Sequence, residues 1–182
     1  MAVHKKALSE SPINYRLHRL GDESSIFDLA NAVWGLTYDI PEKSKWHEGW
    51  QWMFTHNPSG PPIVWLAEHS GKIVSEYPLI LMDICVDHKY GKAAQIVDTM
   101  THPEYRRQGI AINLAGFSLN QLKEQKALLA FGFPSQMAYP LHIKSGWIDV
   151  CAIRLMFLPL NLNKILKTYS INNKTIISLI SK

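Results

Sequence analysis

The sequence predicts one α/β domain in which helices flank a mixed, mostly antiparallel sheet. Its 182 residues are 47% hydrophobic and 19% charged, the composition of an ordinary globular domain with a sizeable core. Strand-like runs occupy the middle of the chain, and helix-like runs stand before and after them. We expect a single domain over residues 1–182, with a core at about 13–160 and a basic tail at 161–182.

The first third of the chain predicts a strand followed by two helices. Residues 13–20, INYRLHRL, are typical of a short strand, and the amphipathic run after it ends at Gly35. A second helix spaces Trp46, Trp50 and Phe54 four residues apart, so these aromatic side chains form one stripe. The stripe predicts a helix that packs through its aromatic face.

The middle of the chain predicts an antiparallel meander. Three strand-like runs occur at 63–69, 72–86 and 92–102. Ser-Gly at 70–71 and DHKYG at 87–91 separate them, and both segments are typical of hairpin turns. Consecutive strands joined by such short turns must run in opposite directions.

The second half predicts a long helix, a buried strand at 128–133, a short helix through 137–147 and a last strand at 148–160. Two cations close the long helix, where they oppose its dipole favourably. Four of its apolar residues are predicted to face the core: Ile110, Leu114, Phe117 and Leu122.

Charge and cysteine usage restrict the classes of partner. Lys and Arg number 19 against 15 Asp and Glu, an excess that suits an anionic ligand but falls short of a nucleic-acid-binding arm. Cys85 and Cys151 are isolated and lack metal-ligand spacing, so we predict no metal site and a reducing, cytoplasmic location. No run reaches the roughly 20 apolar residues of a membrane span.

The segment HPEYRRQGIA, residues 102–111, places two arginines and a glycine at the start of the long helix. A helix start presents unpaired N–H groups and about half a positive charge, and glycine lets a phosphate approach the backbone. The segment therefore predicts an anion site. A solvated turn and helix cap is the alternative, and these ten residues alone leave both interpretations open.

RRQGIA at 106–111 resembles the Arg/Gln-x-x-Gly-x-Gly/Ala acyl-CoA loop of the GNAT superfamily of N-acetyltransferases. LHIKSGW at 141–147 is similar to the LYEKLGF signature that these proteins carry after their fifth strand. The order of predicted elements also matches over about residues 13–160. The resemblance implies the GNAT fold, with a sheet splayed between its fourth and fifth strands, and an enzyme that moves an acetyl group from acetyl-CoA to a primary amine.

The resemblance also implies which residues hold acetyl-CoA. The backbone of Thr99, Met100 and Thr101 would pair with the amides of pantetheine like an added strand. The pyrophosphate would rest on the helix start, where the arginine side chains add charge-assisted hydrogen bonds. The residues of that second group are Arg106, Arg107, Gln108, Gly109, Ile110, Ala111 and Ile112.

Amine attack on a thioester requires a proton acceptor. The strand position at which histone-acetylating members carry a glutamate corresponds to Gln95, which is not basic. Asp98 is the nearest carboxylate, but three residues further along a regular strand it would face the opposite side. Only a bulge would bring it round. The alternative is that Asp98 shapes the strand or binds the acceptor.

The departing thiolate requires a proton donor. LHIKSGW places His142 where many relatives carry a tyrosine acid, and Tyr139 lies one helical turn earlier. Reference pKa values are about 6.5 for imidazole and about 10 for phenol, so only the histidine needs a partly protonated population. The alternative for His142 is a half-exposed helix residue with no catalytic role.

Aromatic residues of the second helix are candidates for the acceptor wall, because this helix approaches the splay in GNAT proteins and aromatic faces bind sugars or apolar amines. We assign Trp46 and Phe54 to the core and expect Trp50, Trp52 and His56 to line the wall. The expected acceptor is a small-molecule amine, with amino sugars as one class.

Two other functions fit the same residues. One is a CoA-binding regulatory module without turnover, which the missing base leaves open. The other is a phosphate- or nucleic-acid-binding domain, against which the lack of clustered positive charge and stacking motifs weighs. Homodimer formation through the tail also stays open.

Overall fold

The computed structural model describes residues 12–35, 42–61 and 63–153. Its sheet has the strand order β1-β2-β3-β4-β6, and β5 pairs with β3. The strands are β1 (Asn14–Leu17), β2 (Ile63–His69), β3 (Lys72–Val86), β4 (Lys89–Ile96), β5 (Met100–Thr101) and β6 (Leu129–Gly132). The helices are α1 (Glu23–Trp34), α2 (Lys43–Trp50), α3 (Ile110–Glu124) and α4 (Tyr139–Lys144). Only β4 and β6 pair in parallel, which confirms the predicted mixed, mostly antiparallel sheet flanked by helices.

Tight turns join the meander strands. Ser70 and Gly71 connect β2 to β3 with φ values of 50° and 77°, as a two-residue hairpin turn requires. Asp87 and His88 connect β3 to β4 with φ values of 49° and 61°. The second turn is thus shorter than the predicted DHKYG segment, because two residues suffice and Lys89 already pairs with Val86.

Each face of the sheet packs against different helices. On the α3 face, the buried cluster joins α3 to β2, β3 and β4 through Ile63, Tyr77, Leu79, Ile96, Ile110, Leu114 and Leu122. On the α1/α2 face, a second buried cluster joins α1, α2 and the turn after α2 to the sheet through Ile26, Leu29, Trp50, Phe54, Leu66 and Met100. These two faces carry different parts of the site described below.

The first two helices follow the predicted pattern. α1 ends at Gly35, whose N–H bonds to the Asn31 carbonyl. α2 continues as a π-helical turn, Gln51–Thr55. The predicted aromatic stripe is present, because the Trp46 and Trp50 rings lie 6.4 Å apart and the Trp50 and Phe54 rings 4.9 Å apart.

Two burial predictions need correction. Phe117 is 40% exposed and stacks on Trp65 at a ring distance of 4.9 Å. It lies at the edge of the buried stripe of α3, because Ala115 and Ser118 shift the centre of that stripe. Strand β6, predicted to be buried, is half-buried along its length in the part of the chain that the structure describes.

The chain divides into two compact units, residues 1–148 and 149–182. All helices and strands described above belong to the first unit. Of the strand predicted at 148–160, residues 148–153 form neither helix nor strand, and the remainder lies outside the described residues together with the tail at 161–182. Across the described ranges, the structure contains no helix of the length and hydrophobicity needed to span a membrane.

Candidate active site

A β-bulge interrupts the meander between β4 and β5. Leu79 of β3 pairs with Ile96, and Glu76 pairs with Met100. Two residues of β3 therefore oppose three residues of the other strand, which defines a bulge. Asp98 sits in the middle of the bulge with a φ of 45°, a left-handed conformation that aspartate tolerates better than most residues. The bulge that would remove Asp98 from ordinary strand alternation is thus present.

The sheet opens beyond the bulge. β4 and β6 pair from Ala93 and Leu129 to Ile96 and Gly132, where their pairing ends. β5 continues alongside β3, and the described residues place no strand against its other edge. We call the opening between residues 99–101 and β6 the cofactor slot. Its free strand edge is suited to pair with the amide groups of an extended ligand.

The loop from β5 to α3 is fixed by its own backbone. A 3-10 turn, Pro103–Tyr105, begins after His102. Arg106 Nε donates a hydrogen bond of 3.1 Å to the carbonyl oxygen of Thr101. Arg107 and Gly109 then adopt φ values of 62° and 79°. A Cβ atom built on Gly109 meets nothing within 4 Å, so the space in front of the helix start is open.

The start of α3 presents unpaired backbone donors. Asn113 N–H bonds to the Gly109 carbonyl at 3.0 Å. The N–H groups of residues 107–112 find no acceptor among the residues that the structure describes. Such donors, together with the helix dipole and two arginines, fit a pyrophosphate. The loop and the cofactor slot therefore fit the two ends of acetyl-CoA that the sequence assigns to them.

His142 lies inside the protein on the α3 face. Its side chain is 6% exposed, so the half-exposed surface position considered from the sequence is wrong. The ring is 6.3 Å from that of Tyr77 and 5.3 Å from that of Trp147. His142 Nδ1, Tyr77 Oη and Trp147 Nε1 are all buried without a hydrogen-bond partner in the described part of the chain. Buried polar atoms of this kind are typical of groups that bond to water or to a ligand.

Burial also changes the chemistry available to His142. It lowers the pKa of His142 below the ordinary value of 6.5, so the neutral imidazole predominates at neutral pH. The imidazolium population that a histidine acid needs is accordingly small. Tyr139, the other donor candidate, is exposed at the first turn of α4. Tyr77 was missed in the sequence, where its only signal is a hydroxyl within an apolar strand.

Two carboxyl groups lie near the bulge. Partial burial raises the pKa of Asp98, although the residue as a whole is exposed to solvent. Glu76 is 2% exposed, and burial together with the Asp98 charge raises its pKa well above the ordinary range. Sequence reasoning missed Glu76, whose signal is an acidic residue within the apolar run of β3. Gln95 pairs with Ile80, which packs on the α1/α2 face.

The expected acceptor-wall residues separate by burial. Trp50 is 5% exposed and packs beside Phe54 and the His18 ring, so the structure places it in the core. Trp52 is 73% exposed on the π-helical turn, and His56 follows it at the surface. These two residues are the ones available to contact an acceptor. The described residues contain no group of His, Cys, Asp or Glu arranged to hold a metal ion.

Comparison with known families agrees with this geometry. Residues 14–147 match the family described as Acetyltransferase (GNAT) domain. The match covers more than half of the chain, and the chain therefore belongs to the GNAT acetyltransferase family. It is an acetyltransferase that uses acetyl-CoA as its acetyl donor.

Solved structures share the fold at low sequence identity. A predicted acetyltransferase from Clostridium acetobutylicum, solved with acetyl-CoA, has a TM-score of 0.63 at 22% identity and covers 84% of this chain and 98% of its own. Glucosamine-6-phosphate N-acetyltransferase from Arabidopsis thaliana has a TM-score of 0.64 at 14% identity, with 81% and 99% covered. An aminoglycoside 6'-N-acetyltransferase from Acinetobacter haemolyticus has 0.63 at 10%, with 81% and 99% covered. No curated protein matches the chain.

Proposed function

We propose that this protein transfers an acetyl group from acetyl-CoA to the primary amine of a small molecule by direct attack in a ternary complex. The observation that carries the proposal is the meeting of an open strand edge at residues 99–101 with an anion-binding helix start at 107–112. Bound acetyl-CoA would supply a thioester held between these two features. Every other step depends on the side chains around the cofactor slot.

Backbone groups would make most of the contacts with the cofactor. Thr99, Met100 and Thr101 would pair with the pantetheine arm, and the segment Arg106–Ile112 would hold the pyrophosphate. Because Arg106 already bonds to Thr101, the two parts of the site are held at a fixed separation. Arg107 is exposed and adds positive charge without an intramolecular partner among the described residues.

Proton transfer involves both faces of the sheet. Asp98, brought out of strand alternation by the bulge, is the exposed carboxylate that would attract the protonated amine and pass its proton to solvent. On the α3 face, His142 and Tyr139 would serve the departing sulfur. Because its pKa is lowered, His142 is mainly a neutral imidazole that would stabilise the departing sulfur by a hydrogen bond, and Tyr139 or water would deliver the proton.

The acceptor is a compact amine, and amino sugars are the class that we favour. Two structures with the same fold are named for acetyl transfer to glucosamine 6-phosphate and to aminoglycosides. Exposed Trp52 offers an aromatic face of the kind that sugars stack on. Cys85 and Cys151 are unpaired thiols, which supports the proposed reducing, cytoplasmic location.

Thermal unfolding and thiol release together test the proposal. Acetyl-CoA at about 100 times its Kd should stabilise the protein by about 2.7 kcal/mol, a rise in Tm of roughly 5–10 °C. Thiol release should then appear with at least one amine from a panel of amino sugars, aminoglycosides and polyamines. A Tm shift without turnover would instead support the non-catalytic CoA-binding module, and no shift at millimolar acetyl-CoA would exclude both.

A further inference from the structure

Glu76 occupies the α1/α2 face of the sheet at the level of the bulge. In antiparallel strands, directly paired residues point to the same face. Glu76 pairs with Leu66 on one side and with Met100 on the other, and both partners belong to the buried cluster of the α1/α2 face. The carboxyl group of Glu76 is therefore on the side of the sheet where α2 and its π-helical turn lie.

The Glu76 carboxyl lacks the partners that a structural role would require. Its Oε2 atom is buried and has no hydrogen-bond partner in the described part of the chain. An unpaired polar group that is buried costs about 1–3 kcal/mol, and more when it is charged. A buried carboxyl oxygen without a protein partner is expected to meet water or a ligand, which makes Glu76 a candidate for ligand contact.

Asp98 is the one charged group whose field shifts the titration of Glu76 among the residues described. Apolar side chains form most of this face: Leu66 of β2, Met100 of β5, and Ile26, Leu29 and Ala30 of α1. Its other titratable groups are Glu23 of α1, which is 3.2 Å from His18 Nε2, the His18 ring beside Trp50, and His47 of α2. The negative charge of Asp98 disfavours ionisation of Glu76, and burial acts in the same direction, so the titrations of the two carboxyl groups are coupled.

We propose that Glu76 and Asp98 together form the site for the ammonium group of the acceptor, and that Glu76 receives the proton that the amine must lose. This inference rests on the proposed function and names the chemistry of its acceptor: a primary amine that arrives protonated. Asp98 provides the exposed charge that attracts the ammonium, and Glu76 is the buried group that takes up the proton.

The step balances in atoms and charge. The acceptor enters as R–NH3+, whose positive charge stabilises the ionised form of Glu76, and any proton that Glu76 carries beforehand leaves for solvent through Asp98. One proton moves from the nitrogen to the Glu76 carboxylate, which leaves the lone pair of R–NH2 free to attack. A carbon–nitrogen bond forms as the carbon–sulfur bond breaks, the nitrogen loses a second proton, and the sulfur gains one. The remaining proton leaves Glu76 for solvent through the exposed Asp98.

Charge-removing variants test the pair. Glu76→Gln, Asp98→Asn and the double variant keep side-chain size, and Glu124→Gln, at an exposed position of α3, is the matched control. Each is measured for the acetyl-CoA-induced rise in Tm and for kcat/KM toward the best amine of the panel between pH 5 and 10. We expect the Tm rise to persist in all of them and kcat/KM at neutral pH to fall about 10²-fold or more in each single variant.

The double variant should lose little more than the worse single variant, because residues that act as a unit are not additive. The pH dependence of kcat/KM below neutrality should also flatten in Glu76→Gln and stay unchanged in Glu124→Gln. Glu76→Gln within about threefold of the wild type, or losses that multiply in the double variant, would overturn the inference while leaving the proposed acetyl transfer intact. Asp98→Asn repeats the test at an exposed position where folding is not at stake, and a wild type that acetylates no amine would overturn both proposals.

Discussion

Arg106 and Thr101 connect the two halves of the proposed cofactor site through one hydrogen bond, from Nε of the guanidinium to the carbonyl oxygen at 3.1 Å. Thr101 ends the open strand edge, and Arg106 begins the loop that leads into α3. The bond thus fixes the distance between the strand edge and the helix start that we propose as the pyrophosphate site. The Arg106 side chain therefore holds the loop in position in addition to attracting anions.

The hydrogen bond from Arg106 to Thr101 predicts different outcomes for substitutions of the two neighbouring arginines. Arg106→Lys keeps the charge but removes the planar donor, so we expect the Kd for acetyl-CoA to rise about tenfold. Arg107→Lys, at an exposed side chain with no such bond, should change it less than threefold. Isothermal titration calorimetry measures both values, and equal effects would show that only charge matters at this loop.

Two substitutions at Gly109 distinguish the effect of backbone strain from that of charge repulsion. Its φ of 79° costs any other residue about 1–2 kcal/mol, although the space for a side chain is open. Gly109→Gln and Gly109→Glu should therefore lose similar stability. Only the glutamate should abolish the acetyl-CoA-induced Tm rise, because its carboxylate faces the pyrophosphate approach. Binding by Gly109→Glu as tight as by Gly109→Gln would contradict an anion site at this helix start.

The raised pKa of Glu76 makes the free energy of unfolding depend on pH, and unfolding experiments can detect the direction of that dependence. Below about pH 4.3 the carboxyl is protonated in the folded and unfolded states alike. Above that pH the unfolded state ionises first, so the wild type should lose stability relative to Glu76→Gln by up to about 1.4 kcal/mol per pH unit until the folded-state pKa is reached. Urea unfolding between pH 4 and 9 measures this difference. A constant difference across that range would mean that the folded-state pKa of Glu76 is ordinary.

His142 should act as a neutral hydrogen-bond donor to the departing sulfur. Its pKa is lowered by burial, so kcat at pH 7–9 should not depend on an imidazolium population. We expect His142→Gln, which retains an N–H group, to keep kcat within several-fold and His142→Phe to lose about 10²-fold. Tyr139→Phe is the comparison variant and should cost much less. The reverse order of the two phenylalanine variants would assign the donor role to Tyr139.

Two tryptophans of the acceptor region provide a matched pair. Trp50→Ala removes a side chain that is 5% exposed and should lower the free energy of unfolding by about 3–5 kcal/mol. Trp52→Ala removes one that is 73% exposed, so stability should hardly change while KM for the amine rises. Denaturant unfolding and steady-state kinetics check both. An unchanged KM in Trp52→Ala would remove this residue from the acceptor wall.

Features that depend on neighbouring residues were predictable from the sequence. The two-residue turn at Ser70 and Gly71, the end of α1 at Gly35 and the loop before α3 all follow from local backbone preferences and helix periodicity. These same signals place the anion site, since it consists of a glycine, two arginines and a helix start in one short segment.

Features that depend on strand pairing were not predictable. β3 is buried on both faces along most of its length, so alternation does not show which face Glu76 or Tyr77 occupies. The bulge at Asp98 is defined by the pairing of its strand with β3, where three residues oppose two. The sequence of one strand alone does not show it. Phe117 was misplaced for a related reason, because its exposure depends on how Trp65 of a distant strand covers it.

The bulge also determines which length changes the chain tolerates. Val97 and Met100 are three positions apart, yet both pack on the α1/α2 face, so the strand changes phase between them. Deleting one residue there would restore regular pairing with β3 and leave Met100 on its face, but it would remove the left-handed bulge position that Asp98 occupies. The same deletion in an exposed loop would cost far less. The extra residue among 97–99 therefore serves the placement of Asp98 and not the burial of Met100, so its loss should impair the site more than the stability of the fold.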